Sequence, residues 1–124
     1  MTNAEYAPIM IDYLVAIYRP DGYDPSTEDD AMTQGIDAVN EEMVAEGARV
    51  FVGGLRPPGE AKAIRRSADG SLSIESGLYL DAGEHVGGLW VLRVADENEA
   101  IAWARKAANA CRASVEIRPF YGEK

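Results

Sequence analysis

The stretch that decides the fold is residues 87–111, GGLWVLRVADENEAIAWARKAANAC, because it joins an apolar strand directly to an amphipathic helix. Residues 87–94 are almost continuously apolar, which is typical of a buried strand. Asp96 and Glu99 have the three-residue spacing of a helix capping box. The apolar side chains that follow recur at helical spacing and predict one buried face, made of Ala100, Trp103, Ala104, Ala107, Ala108 and Cys111.

The N-terminal part has the same organisation of a strand followed by a helix. Residues 9–18 (IMIDYLVAIY) predict a buried strand, and residues 19–22 (RPDG) should end it in a turn. Ser26 or Thr27 offers an N-cap for the first helix, and Gly47 is a natural stop. The apolar face of this helix is predicted to contain Met32, Ile36, Val39 and Met43.

Four further strands complete the pattern. Residues 49–55 (RVFVGGL) predict a second buried strand, and residues 114–118 (SVEIR) predict a short last one. Residues 63–74 predict a hairpin around Asp69 and Gly70. A three-residue loop over 68–70 is favoured, because it places Ile64 opposite Ile74 and gives the hairpin one apolar face.

The resulting order, β-α-β-β-β-β-α-β, predicts an α+β fold in a single domain over residues 1–124. The simplest plan is a ferredoxin-like split β-α-β antiparallel sheet with two helices on one face. The main strands are apolar at consecutive positions, and hence on both faces, yet two helices cover only one face. We therefore expect a homodimer in which the two sheets pack face to face as a dimeric α+β barrel.

Composition excludes several classes of partner. The 124 residues contain 12 Lys and Arg against 21 Asp and Glu, a formal charge of −9, so neither nucleic acid nor an anionic membrane surface is an expected partner. The longest apolar runs are shorter than the roughly 20 residues of a spanning helix, and residues 1–12 have no signal-peptide pattern. One cysteine rules out an internal disulfide framework and fits a cytoplasmic location.

Four segments in this order resemble the YCII-related family: residues 13–26 (YLVAIYRPDGYDPS), 40–58 (NEEMVAEGARVFVGGLRPP), 84–108 (EHVGGLWVLRVADENEAIAWARKAA) and 115–120 (VEIRPF). The closer resemblance is to the branch named for an Asp-Gly-Pro-Phe motif, and it covers roughly residues 10–121. The resemblance implies a ferredoxin-like domain that pairs into a dimeric α+β barrel. Some members of this branch resemble accessory partners of extracytoplasmic-function sigma factors.

The sequence departs from the family pattern at two places. The Asp-Gly-Pro-Phe motif falls on residues 76–79 (SGLY), where only the glycine is kept. The wider family has a proposed catalytic histidine on its first helix, paired with an aspartate. The matching stretch here, near Ile36 and Asp37, contains no histidine.

His85 is the candidate for acid–base chemistry, since it is the only histidine and imidazole titrates near neutrality. Asp81 or Glu84 could orient it as a general base. The alternative is a histidine with no chemical role at the entry to a strand. No metal site is predicted, because His85 and Cys111 are the only soft ligands and zinc needs three or four. No cofactor is expected.

Arg56 lies between a Gly-Gly and a Pro-Pro pair, which could hold its guanidinium over a pocket to bind an anion. The alternative is a stiff loop at a strand end. Residues 75–86 join the hairpin to the strand that begins at Gly87. They carry four polar candidates near His85 in the sequence, namely Ser76, Tyr79, Asp81 and Glu84. We predict that Arg56 and His85 line one concave site for an anionic or phenolic small molecule, with further candidate contacts from Ser76, Tyr79, Glu84 and Tyr18.

Three classes of function stay open from the sequence. The first is small-molecule binding in this pocket, with or without cofactor-free chemistry. The second is a regulatory module whose acidic surface docks a basic partner such as a sigma factor. The third is a relative that keeps the fold without any activity. A pocket that holds Arg56, Tyr79 and His85 together would favour the first class, and a flat acidic patch would favour the second.

Overall fold

The computed structural model describes residues 9–122, which form an α+β fold with two helices and antiparallel sheets. The domain predicted over 1–124 therefore extends beyond the described residues at 1–8 and 123–124. The elements in chain order are β1 (Ile11–Pro20), α1 (Asp30–Ala45), β2 (Arg49–Gly54), β3 (Lys62–Arg66), β4 (Leu72–Ser76), β5 (Glu84–Val94), α2 (Glu97–Cys111) and β6 (Val115–Pro119).

The main sheet has the strand order β2-β5-β1-β6, and each neighbouring pair is antiparallel. The chain crosses through α1 between β1 and β2, and through α2 between β5 and β6. This is the ferredoxin-like split β-α-β topology that the order of elements predicts. Strands β3 and β4 form a separate two-stranded hairpin.

The hydrophobic core lies between the main sheet and the two helices. Alternate residues of β1 and β5 point into it, because successive side chains of a strand point to opposite faces. The strands and helices both contribute the buried side chains of this cluster, which include Tyr13, Val15, Ile17, Val39, Met43, Trp90, Leu92, Val94, Ala100, Trp103, Ala104, Ala107 and Cys111.

The other face of the sheet is also apolar at its centre, as the apolar runs predict. Leu14, Val91 and Phe51 form one row across three strands, and Ala16 and Leu89 form the next. Phe51 is 57% exposed, and both helices of residues 9–122 pack on the opposite face. At one border, Arg93 donates two hydrogen bonds to Asp12, at 2.8 and 3.0 Å. We call this surface the outer face.

The first helix begins later than predicted. Its N-cap is Asp29, whose Oδ1 accepts a hydrogen bond from the Met32 N–H at 2.9 Å. The predicted caps, Ser26 and Thr27, are wrong because they lie in a separate 3₁₀ turn that starts at Pro25. Proline suits the first position of such a turn, since its φ is preset and its missing N–H would be unpaired there anyway.

The predicted capping box, hairpin loop and stop of the first helix are confirmed. The Asp96 side chain accepts from the Glu99 N–H at 2.9 Å, and Glu99 accepts in return from the Ala95 N–H at 3.1 Å. Ile64 pairs with Ile74 in the hairpin, and Gly70 has the positive φ of +89° that the three-residue loop requires. Gly47, with a φ of +71°, follows the end of α1.

Strands β1 and β5 are both longer than predicted at the end where they meet. Arg19 and Pro20 stay in β1 and pair with His85 and Glu84. Pro20 is tolerated because β6 is paired with β1 only as far as Ile17, so the missing N–H falls where that edge is open. His85 and Glu84 therefore belong to a strand, and the loop shortens to residues 77–83.

Candidate functional site

An imidazole–carboxylate pair lies where β1 and β5 end together. His85 Nδ1 is 2.9 Å from Asp21 Oδ1, and the two side chains are 11% and 35% exposed. The Asp21 N–H donates to the Gly83 carbonyl at 2.9 Å, which holds the turn after β1 against the start of β5. Since a carboxylate only accepts, this contact places a proton on Nδ1 and leaves Nε2 as the acceptor of the neutral imidazole.

His85 and Arg56 line the same cleft, so the structure brings these two predicted residues together. The cleft has a volume of about 300 Å³. Its walls come from the end of β1, the turn after it, the segment after β2 and the start of β5: Arg19, Asp21, Tyr23, Pro25, Glu28, Leu55, Arg56, Pro57, Pro58, His85 and Gly87.

Arg56 lies at the rim of the cleft. Its Nε donates to Glu60 Oε1 at 2.9 Å, while the side chain is 82% exposed. The Leu55 N–H donates to the Gly87 carbonyl at 2.9 Å, which ties this segment to β5. The ion pair with Glu60 uses one donor of a guanidinium that has five, so Arg56 can also bind an anion in the cleft.

Tyr23 and Arg19 form another part of the cleft wall. The Arg19 guanidinium lies 4.4 Å from the centre of the Tyr23 ring, and its Nη1 donates to the Cys111 carbonyl at 2.7 Å. The Tyr23 hydroxyl donates to Glu28 at 2.7 Å. Burial raises the pKa of Tyr23, and the hydrogen bond to Glu28 raises it further, so this phenol stays protonated at neutral pH.

Gly87 makes the room that Arg19 occupies. A Cβ at position 87 would lie 2.7 Å from Arg19 Cγ, which is too close to be accommodated without a shift. We expect Gly87→Ala to displace Arg19 from the Cys111 carbonyl and to lower the free energy of unfolding by about 1–2 kcal/mol. Urea denaturation measures this, with Gly59→Ala as the control because a Cβ there meets nothing within 4 Å. Equal unfolding midpoints for the two variants would contradict the assignment.

The carboxylate that contacts His85 is Asp21, and neither Asp81 nor Glu84 bonds to the imidazole. Asp81 is exposed in the loop 77–83. Glu84 precedes His85 in β5, and neighbours along a strand point to opposite faces. Cys111, at the end of α2, is buried, and burial raises the pKa of its thiol, so the neutral form dominates.

The remaining predicted contacts lie away from the cleft. Tyr79 stacks on Arg65 at 4.6 Å, and Ser76 accepts a hydrogen bond from Lys62 at 2.9 Å, so both belong to the base of the hairpin. Tyr18 points to the outer face, where its hydroxyl donates to Glu116 at 2.9 Å. That hydrogen bond raises the pKa of Tyr18.

Arg19, Asp21 and Tyr23 are among the cleft residues that the sequence prediction missed. All three lie in the segment YRPDGYD (residues 18–24), whose Pro and Asp-Gly indicate only a turn. Asp21 and His85 are 64 positions apart, and no local pattern relates them. The one available signal was an acidic residue directly after a buried strand, where side chains of neighbouring strand ends come together.

Within residues 9–122 no group of three or more His, Cys, Asp or Glu side chains could hold a metal ion. No helix in that part of the chain is long and apolar enough to cross a bilayer.

Fold and site together define a ferredoxin-like α+β domain with an imidazole–carboxylate cleft at one end of its sheet. The sequence model of the YCII-related domain matches residues 10–122, and the chain belongs to that family. No curated protein matches the chain.

Proposed function

We propose that this protein binds a small anionic or phenolic molecule in the cleft that Arg56 and His85 line. The observation that carries the proposal is the Asp21–His85 pair, whose imidazole is 11% exposed, on the wall of a cleft that also presents a guanidinium. An arginine with donors to spare can bind a carboxylate, and the Nε2 acceptor of a fixed imidazole can bind an acidic hydroxyl.

The same geometry supports cofactor-free acid–base chemistry. His85 Nε2 would accept a proton from a bound phenol or from an acidic carbon, and Asp21 would stabilise the imidazolium that forms. Arg56 would pair with the negative charge that develops on the ligand. The resemblance implies a histidine on the first helix for such chemistry, and here β5 supplies the imidazole instead.

A thermal-shift screen of small carboxylates and phenols tests the proposal. A ligand at 100 times its dissociation constant should stabilise the protein by about 2.7 kcal/mol. We expect this stabilisation to be lost in Arg56→Ala for carboxylates and in His85→Gln for phenols, because each variant removes the group that contacts that ligand. Arg66→Ala, an exposed arginine of the hairpin, is the control. A ligand that stabilises all four proteins equally would refute binding in this cleft.

We also propose that two copies pair through the outer face. Its centre is apolar, with Leu14, Leu89, Val91 and Phe51, while Asp12–Arg93 and Tyr18–Glu116 lie at its borders. An apolar centre with a polar rim is the usual anatomy of a protein interface. Exposed apolar surface of this kind, continuous across three strands, is stabilised by a partner of the same shape.

We further propose that the chain belongs to the Asp-Gly-Pro-Phe branch of the family and that the protein is cytoplasmic. The branch is supported by the segments quoted above and by Gly77, the one motif residue that is kept. The location is supported by Cys111, the single cysteine, which is free. A regulatory role, with a basic partner such as a sigma factor, is supported by the charge of −9. Arg56 and His85 line one cleft, which favours ligand binding over that role, while Tyr79 lies at the hairpin instead.

A further inference from the structure

A second pocket, of about 170 Å³, opens beneath α1 next to the cleft. It exists because Gly54 and Gly88 pair across β2 and β5 on the helix side of the sheet, where neither offers a side chain to fill the space. Ile36 of α1 and Trp90 of β5 form two of its other walls. We call it the α1 pocket.

The polar groups around the α1 pocket already have partners. The Trp90 indole N–H donates to Asn40 Oδ1 at 2.9 Å, and Asn40 Nδ2 donates to the Ile36 carbonyl at 3.1 Å. No buried side-chain nitrogen or oxygen in the described part of the chain lacks a hydrogen-bond partner. A group that enters this pocket therefore finds apolar surface, and burying a polar group there would cost free energy.

The α1 pocket and the cleft share two wall residues, Arg19 and Gly87. The Arg19 side chain thus lies between an apolar space and the polar cleft. Its Nη1 bonds the Cys111 carbonyl, and its other donors are oriented by the stacking on Tyr23. An anionic group next to Arg19 would be placed at the boundary between the two spaces.

From this arrangement we infer that the ligand is a ring-bearing carboxylate or phenolate, with its ring in the α1 pocket and its charged group in the cleft beside Arg19. The size supports a ring, since an apolar cavity of about 150 Å³ takes up benzene. The inference rests on the proposed binding of an anionic molecule in the cleft, and it names the chemical class of that molecule.

The test compares benzoate with acetate, which carries the same charge without the ring. Binding is followed by NMR through the indole N–H of Trp90, with that of Trp103, in the core on the helix side, as an internal reference. We expect benzoate to bind at least about tenfold more tightly than acetate, because it buries several apolar carbons. Benzoate should shift the Trp90 signal, and acetate should not.

Gly54→Val fills the α1 pocket, and a Cβ at position 54 meets nothing within 4 Å. We expect it to abolish the advantage of benzoate and to leave acetate binding unchanged. Gly59→Val is the matched control, since its Cβ is equally unobstructed but Gly59 does not line the pocket. Should Gly54→Val fail to fold, Ile36→Phe fills the same space from α1.

The outcomes separate this inference from the proposed function. The ring subsite would be overturned if benzoate bound no more tightly than acetate, or if Gly59→Val weakened benzoate binding as much as Gly54→Val does. If acetate binding is then still lost in Arg56→Ala, the cleft proposal stands alone. Benzoate could instead shift the Trp90 signal and respond to Gly54→Val but bind equally well to Arg56→Ala and His85→Gln. That result would overturn the placement of the charged group in the cleft, and the proposed function with it.

Discussion

Val91→Lys is expected to convert a dimer of this protein into monomers. Val91 lies in the central row of the outer face, between Leu14 and Phe51. In a sheet-to-sheet dimer the new ammonium would be buried without a partner, which costs several kcal/mol for each copy. Light scattering at micromolar concentration should give twice the 13.4 kDa of the chain for the wild type and 13.4 kDa for the variant.

Val44→Lys is the matched control, because Val44 is 54% exposed on α1, away from the outer face. It should keep the mass of the wild type. Phe51→Glu provides a second disruptive variant at a side chain that is exposed in the single chain, so a loss of pairing there would not reflect misfolding. A wild-type protein that stays at 13.4 kDa, or a Val91→Lys variant that keeps the doubled mass, would refute the pairing.

Asp21→Ala is expected to change the tautomer of His85. The carboxylate of Asp21 holds the proton on Nδ1, and a hydrogen bond to a charged group is worth about 1.5–3 kcal/mol. Its loss should change the ratio of the two neutral tautomers by at least about tenfold. The chain has one histidine, so ¹⁵N NMR of the imidazole, recorded where it is neutral, reports this site alone.

Asp81→Ala and Glu84→Ala are the controls. They also test whether His85 is oriented by Asp21, as in the structure, or by Asp81 or Glu84, as the sequence predicts. Both residues are near His85 in the sequence, and neither bonds to its ring. We expect both variants to keep the Nδ1–H form and to keep the binding of a phenol, which Asp21→Ala should weaken because Nε2 then carries the proton and no longer accepts from the hydroxyl. A tautomer that responds to Asp81→Ala instead would show that the Asp21 contact does not orient the imidazole.

The elements of the fold were predictable because their signals are local. The buried side of each element sets its own sequence pattern. This applies to the apolar runs of β1 and β5 and to the helical spacing from Ala100 to Cys111. The register of the hairpin was predictable for the same reason, since a three-residue loop at Gly70 and one apolar face allow a single pairing. The chain itself therefore determined the strands, the helices and the uncovered outer face.

Only the tertiary structure decided which side chains of β1 meet those of β5 at the cleft. The register of β1 against β5 shifts between Ile17 and Tyr18, so that Gly87 is skipped and Arg19 pairs with His85. That shift brings Asp21 to His85 and Arg19 to the boundary of the two pockets, and pairing Gly54 with Gly88 leaves the space beneath α1. Periodicity along a chain encodes the buried face of an element, whereas contacts between distant elements depend on bulges and strand ends that cost little energy and leave no local pattern.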